Sequence, residues 1–155
     1  MKSHNYTVAL EWTGNTGKGT AAYSVYERSH TLQVTGKPII DGSSDPSFRG
    51  DATKYNPEEM LVASISSCHM LWYLHFCAEN DIVVTAYTDN AMGTMIEHPD
   101  GSGKFTEVIL YPIVTITSIE QMDLANQLHR KAHEYCFIAN SCNFPIRHEP
   151  SVRVK

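Results

Sequence analysis

Apolar and polar positions alternate from Tyr6 to Trp12, which predicts a strand. The cluster Gly14-Asn15-Thr16-Gly17-Lys18-Gly19 predicts a turn and Ala21 to Tyr26 a second strand. Arg28-Ser29-His30 then leads into a third, Thr31 to Val34, so the opening reads as a three-stranded meander. From Gly36 to Tyr55 periodicity gives way to Gly, Pro, Ser and Asp, and a loop of about 20 residues is expected. Loops of that length in small domains commonly carry function.

Asn56-Pro57-Glu58-Glu59 predicts a helix start. Asn suits the N-cap, Pro the first helical position, and the acidic pair the positive end of the helix dipole. The helix runs to about Glu79, with Leu61, Ile65, Cys68, Trp72 and His75 on one stripe. Met60, Ala63, Ser67, Met70, Leu71 and Leu74 cover much of the remainder, so this central helix is expected to be buried on most sides. Ile82 to Met95 predicts a strand, Pro99-Asp100-Gly101-Ser102-Gly103 a hairpin turn, and Phe105 to Thr117 the return strand. Pro112 marks an edge or a bulge there. Met122 to about Ala139 predicts a second amphipathic helix, with Ala125, Leu128, Ala132, Tyr135, Cys136 and Ala139 on its apolar stripe. Phe144 to Val154 predicts a last strand. The order βββ-α-ββ-α-β describes an α+β fold, with antiparallel sheet packed against two helices.

The length, 155 residues, suits a single domain over 1–155, and 42% apolar with 19% charged residues suits a globular chain with a real core. No apolar run approaches the roughly 18 to 20 residues of a membrane span, so no membrane partner is expected. The start, Met1-Lys2-Ser3-His4-Asn5-Tyr6, lacks a signal-peptide core and points to a cytoplasmic location. A formal net charge of -5 argues against a nucleic-acid partner. The cysteines are Cys68, Cys77, Cys136 and Cys142, with no CxxC among them, which argues against a zinc ribbon or a thioredoxin motif.

Cys68 falls mid-helix in Ser66-Ser67-Cys68-His69, and Cys136 on the stripe of the second helix. Two buried helices with one inward cysteine each can pack those sulfurs face to face. Two independent core cysteines are the alternative, which composition and periodicity leave ahead.

The run Asn56-Pro57-Glu58-Glu59-Met60-Leu61-Val62-Ala63-Ser64-Ile65-Ser66-Ser67-Cys68 resembles the signature of the OsmC/Ohr family of thiol-dependent peroxidases. Ala132-His133-Glu134-Tyr135-Cys136 resembles the second motif of that family, and the element order matches across nearly the whole chain. The resemblance implies Cys68 as the peroxidatic cysteine, Cys136 as the resolving one, and Glu58 as the carboxylate that holds a catalytic arginine. For that arginine it offers Arg49, in the long loop, with Arg28 of the meander as the alternative. It also implies an intertwined homodimer, an organic hydroperoxide as substrate, and an external dithiol reductant such as a lipoylated protein or small thiol. No metal, flavin or other cofactor is expected. Two positions depart from the family pattern: Phe137 stands where Pro usually follows the resolving cysteine, and His69 follows Cys68 where an apolar residue is common.

The chemistry agrees with these roles. The thiolate is the nucleophile, and an arginine supplies the permanent charge that favours it and a fork of donors for the peroxide. A glutamate orients that fork. Attack on the O–O bond leaves a sulfenic acid, which a second thiol condenses to a disulfide. Ten residues of helix rise about 15 Å, so Glu58 cannot touch Cys68 along its own helix. The glutamate must reach a cysteine through the arginine, through a bend, or from another chain. Antiparallel pairing of two central helices would bring one chain's Glu58 towards the other's Cys68, which favours a two-fold homodimer.

Other residues admit plainer readings. Cys77 and Cys142 are expected to be small buried residues. His129 and His133 lie four apart on one helix face and, with a cysteine, form the strongest zinc-hydrolase reading available. They lack further ligands, and a solvent-facing or capping role is preferred. Met70, Trp72, Tyr73 and Phe76 are expected in core packing, with a substrate pocket near Cys68 as the alternative. Gly14 to Gly19 lacks Walker spacing and reads as a hairpin turn. A hydroperoxide-reducing enzyme is therefore the expectation, with a non-catalytic redox sensor or small-molecule-binding module as its rival.

Overall fold

A computed structural model describes residues 1–155, which divide into two compact units, Met1–Met60 and Leu61–Lys155.

In the first unit, β1 (Ala9–Trp12), β2 (His30–Gln33) and β3 (Ile40–Gly42) form an antiparallel sheet in that order. The expected strand at Ala21 to Tyr26 is instead a series of turns and bends. Side chains have taken the backbone groups that a strand would offer to a neighbour. The Arg28 guanidinium lies 4.1 Å from the ring centroids of both Tyr23 and Tyr26 and donates to both of their carbonyl oxygens. Trp12 Nε1 donates to the Glu27 carbonyl at 2.9 Å, and the Thr16 hydroxyl to that of Val25. The third strand comes from the stretch expected to be loop. The remainder of that stretch holds a 3₁₀ turn, Pro46–Phe48, capped by the Asp45 carboxylate and ending at Arg49 in the left-handed region, φ 64°. Gly50 is required there, because a Cβ would fall 1.6 Å from the Ser44 carbonyl oxygen.

Helix α1 spans Pro57–Glu79. Asn56 Oδ1 accepts from the Glu59 amide at 2.8 Å, and Glu59 Oε2 accepts from the Asn56 amide at 3.2 Å, a reciprocal capping box. The buried stripe is Ile65, His69, Tyr73, Phe76 and Cys77, turned by about one residue from the expected one. Leu71 is 63% exposed, so α1 in the single chain is not buried on most sides. A helix apolar nearly all round does not announce which face its partners will cover. By length and composition α1 would also reach across a bilayer, which the run-length reading missed, yet its inner stripe is packed in protein core.

The second unit is built on three long extended runs, each broken once. They give β4 (Val84–Asp89) and β5 (Met92–Glu97), β6 (Gly103–Leu110) and β7 (Pro112–Ile116), and β8 (Ile146–His148) and β9 (Ser151–Val154). The halves sort into two sheets, β4-β7-β9 and β5-β6-β8. The β4–β7 and β5–β6 pairs are antiparallel, whereas β6–β8 and β7–β9 are parallel, so both sheets are mixed. Each expected single strand is thus two. The breaks are tied by specific bonds: Asp89 Oδ1 accepts from the Tyr111 amide at 2.7 Å, and the Leu110 carbonyl accepts from the Glu149 amide at 2.8 Å. Pro112 and Pro150, which cannot donate to a ladder, stand at two of the breaks.

Residues of α1 serve both sheets. Ile65, with Leu61 and Val62, packs on Val108, Leu110 and Ile146. Tyr73, Phe76 and Cys77 pack on Val114, Ile116 and the inner face of α2 (Met122–Tyr135), namely Ala125, Leu128 and Ala132. The second helix stops short of its expected end. Cys136 is its C-cap, extended at ψ 106°, and a 3₁₀ turn follows at Ala139–Ser141. The Glu134 carbonyl, in the last turn of the helix, is met by Asn140 Nδ2 at 2.9 Å, which caps that end.

Candidate active site around two cysteines

Cys68 lies on α1 between Ile65, which serves one sheet, and Tyr73, which serves the other. Two residues earlier, the Ser66 hydroxyl donates to Asp89 Oδ2 at 2.5 Å. Asp89 therefore links this part of α1 to the break between β6 and β7.

Cys136 reaches Cys68 from the end of α2. Both are free thiols, Cys68 partly exposed and Cys136 1% exposed, and the two side chains adjoin closely enough to interact. Burial above all, then the neighbouring Cys68, pushes the Cys136 thiol up to about 12, against the Ala139 amide that donates to its Sγ at 3.4 Å. Cys136 is therefore a protonated, sheltered thiol, and Cys68 is the accessible member of the pair. The sequence left open whether these sulfurs were independent; the tertiary fold brings them together.

Trp72 stacks on Phe76 with centroids 5.4 Å apart and meets Tyr135 at 5.3 Å and Phe137 edge-on at 5.5 Å. Phe137 thus belongs to an aromatic wall beside Cys136. Tyr73 turns away from it and stacks on His129 at 3.9 Å. Cys77 is a buried core residue as expected, while Cys142 is only partly buried and donates to the Ile138 carbonyl.

The other expected site residues lie in the first unit. Glu59 is committed to the capping box, while Glu58 beside it stands half-buried in the first turn of α1. Arg28 and Arg49, alternatives for one role, line the same open cavity of about 440 Å³ together with Lys18 and Glu27.

The histidines depart from expectation. His129 is fully buried, not solvent-facing, and its Nδ1 is hydrogen-bonded to His69 Nε2 at 3.0 Å. Burial first, then His69 and His148, lowers His129 to about 3; burial, then His148 and His133, lowers His69 to about 4. Both are neutral near pH 7. No group of three or more His, Cys, Asp or Glu side chains is placed to hold a metal ion. The i, i+4 spacing of His129 and His133 was visible in the sequence, but nothing local told which of them faced inward.

Residues 50–151 match the OsmC-like protein family, and the chain belongs to that family. It is similar to an OsmC-like protein of unknown function from Vibrio cholerae, at 31% identity over 96% of this chain and 100% of that one, with a TM-score of 0.86. An organic hydroperoxide resistance protein from Elizabethkingia anophelis shares the fold at 20% identity, covering 100% of both chains with a TM-score of 0.68. The organic hydroperoxide resistance protein OsmC of Legionella pneumophila does so at 19% identity, covering 97% of this chain and 98% of that one, with a TM-score of 0.64. No curated protein matches.

Proposed function

We propose that this protein is a thiol-dependent peroxidase that reduces organic hydroperoxides. The observation that carries the reading is the juxtaposition of an accessible Cys68 with a sheltered, protonated Cys136. The Cys68 thiolate attacks the distal peroxide oxygen, the O–O bond breaks, and the alcohol leaves with a proton. The resulting sulfenic acid then meets the Cys136 thiol, and water leaves as the disulfide forms. An external dithiol returns both sulfurs to the thiol state.

Glu58 and one of Arg28 and Arg49 are proposed to complete the site by orienting a guanidinium towards the thiolate and the peroxide. Glu58 and Cys68 stand about 15 Å apart along one helix, so the glutamate acts through the arginine it orients or across a two-fold homodimer with paired α1 helices. The outward Leu71, 63% exposed in the single chain, fits such a pairing. The aromatic wall of Trp72 and Phe137 favours an organic over an inorganic peroxide.

Intact-mass analysis after one equivalent of cumene hydroperoxide tests the reading. Loss of two protons, mapped to a Cys68–Cys136 bridge, is expected. Cys68→Ser abolishes peroxide consumption, whereas Cys136→Ser allows one turnover and traps Cys68 as an oxidised acid. An unchanged mass, or full activity in both variants, refutes the proposal and leaves a binding module on this fold.

A further inference from the structure

The peroxidase chemistry does not use the His69–His129 pair, yet this pair joins the two helices that carry the cysteines. His69 follows Cys68 directly on α1, and its Nε2 meets His129 Nδ1 of α2 at 3.0 Å. Cys136 caps the C-terminus of α2 seven residues beyond His129, and both are buried. The rings are 1% and 0% exposed, so water does not compete for the bond. Apolar contacts on this seam tolerate sliding, whereas an N–H···N bond admits only a narrow range of distance and angle.

We propose that the His69–His129 hydrogen bond is a positioning device that holds α1 and α2 in the register at which the Cys136 sulfur can attack oxidised Cys68. This deepens the peroxidase reading and rests on it for the catalytic cycle. The step served is condensation: the S–S bond forms, the S–O bond of the sulfenic acid breaks, and the Cys136 proton leaves with the hydroxyl as water.

The surroundings keep the pair neutral. Tyr73 of α1 stacks on His129 at 3.9 Å, and Tyr87 of β4 lies behind it at 5.9 Å. His148 of β8 stands 5.5 Å from the His69 ring and 6.3 Å from that of His129. His133 of α2 is 5.6 Å from His148. The charges that act on the pair are those of histidines, which disfavour its protonation. Two neutral imidazoles make one directional bond, one ring donating and the other accepting.

His129→Leu removes the bond at similar bulk. His129→Asn keeps a polar atom near the Nδ1 position, and His69→Gln keeps one near Nε2. After one equivalent of cumene hydroperoxide, His129→Leu is expected to form the sulfenic acid at the parent's rate. Disulfide formation should then slow about tenfold, with the sulfenic acid captured by dimedone. The Asn and Gln variants should recover most of the second rate, which a general loss of packing would not allow. Equal slowing of both steps, or an unslowed second step in His129→Leu, overturns the proposal.

If His129→Leu does not fold, the Asn and Gln variants still decide. Losses in both as large as removal of Cys136 overturn the positioning role. Diamide separates this idea from the peroxidase reading, since it oxidises thiol pairs without peroxide. A parent inert to peroxide whose Cys68–Cys136 bridging by diamide still depends on the pair refutes the peroxidase alone. Diamide bridging insensitive to all three variants refutes the positioning role.

Discussion

The buried histidine pair makes stability depend on pH in a defined window. Exposed histidines in an unfolded chain titrate near 6.5, whereas His69 in the folded chain titrates at about 4. The folded-state value is depressed, so the unfolded chain takes up the proton first as pH falls. Stability is full above about pH 6.5, declines as pH drops towards about 4, and levels off below that. The interval for His69 alone is worth about 3 kcal/mol. His129 acts in the same direction but adds less than a second full amount, because the two rings share one bond. At a urea slope of about 2 kcal/mol/M, 3 kcal/mol moves the unfolding midpoint by about 1.5 M. Urea titrations at about pH 7.5 and about pH 4.5 on the parent and on the double variant His69→Gln/His129→Asn provide the assay. The variant should lose most of the pH slope, keeping a smaller one from His148, whose value is also lowered by burial. Asp45, Asp51 and Asp100 have values held below the usual carboxylate range by hydrogen bonds to neighbouring hydroxyls, and so act only at lower pH. A parent midpoint that does not move across this window, or an unchanged slope in the variant, refutes the reasoning.

Asn56→Ala opens the capping box and should cost about 1 kcal/mol, seen as a fall of about 3 °C in Tm. Asp89→Ala leaves the Tyr111 amide and the Ser66 hydroxyl without their partner, and should cost about 1–3 kcal/mol and speed amide exchange at Tyr111. Arg49→Gly relieves a non-glycine residue at φ 64° and should stabilise by up to about 1 kcal/mol in urea titration. The same variant separates the two arginines: a steep loss of peroxide consumption assigns the catalytic role to Arg49, whereas retained activity assigns it to Arg28.

Local chemistry was legible in the sequence wherever it depends on neighbours a few residues apart. Asn56, Pro57 and Glu59 start α1 at its observed position because the capping partners lie within one turn. The apolar stripe of α2 was equally plain, since its other face is polar. The motif around Cys68 carried the family. Tertiary structure decided what local pattern leaves degenerate. Ala21 to Tyr26 has a strand's composition, but Arg28 takes its carbonyls, and no alternation reports on a guanidinium arriving from beyond the segment. The long extended runs look continuous, and where they break depends on Asp89 meeting Tyr111 from another strand. Which side of α1 faces inward was undetermined because nearly every side is apolar, and only the two sheets and α2 select the face bearing Ile65, His69 and Tyr73. That same selection buries His129 and sets Cys136 against Cys68. Residues 68 apart in the chain become neighbours through packing, and no periodicity along the chain encodes that distance.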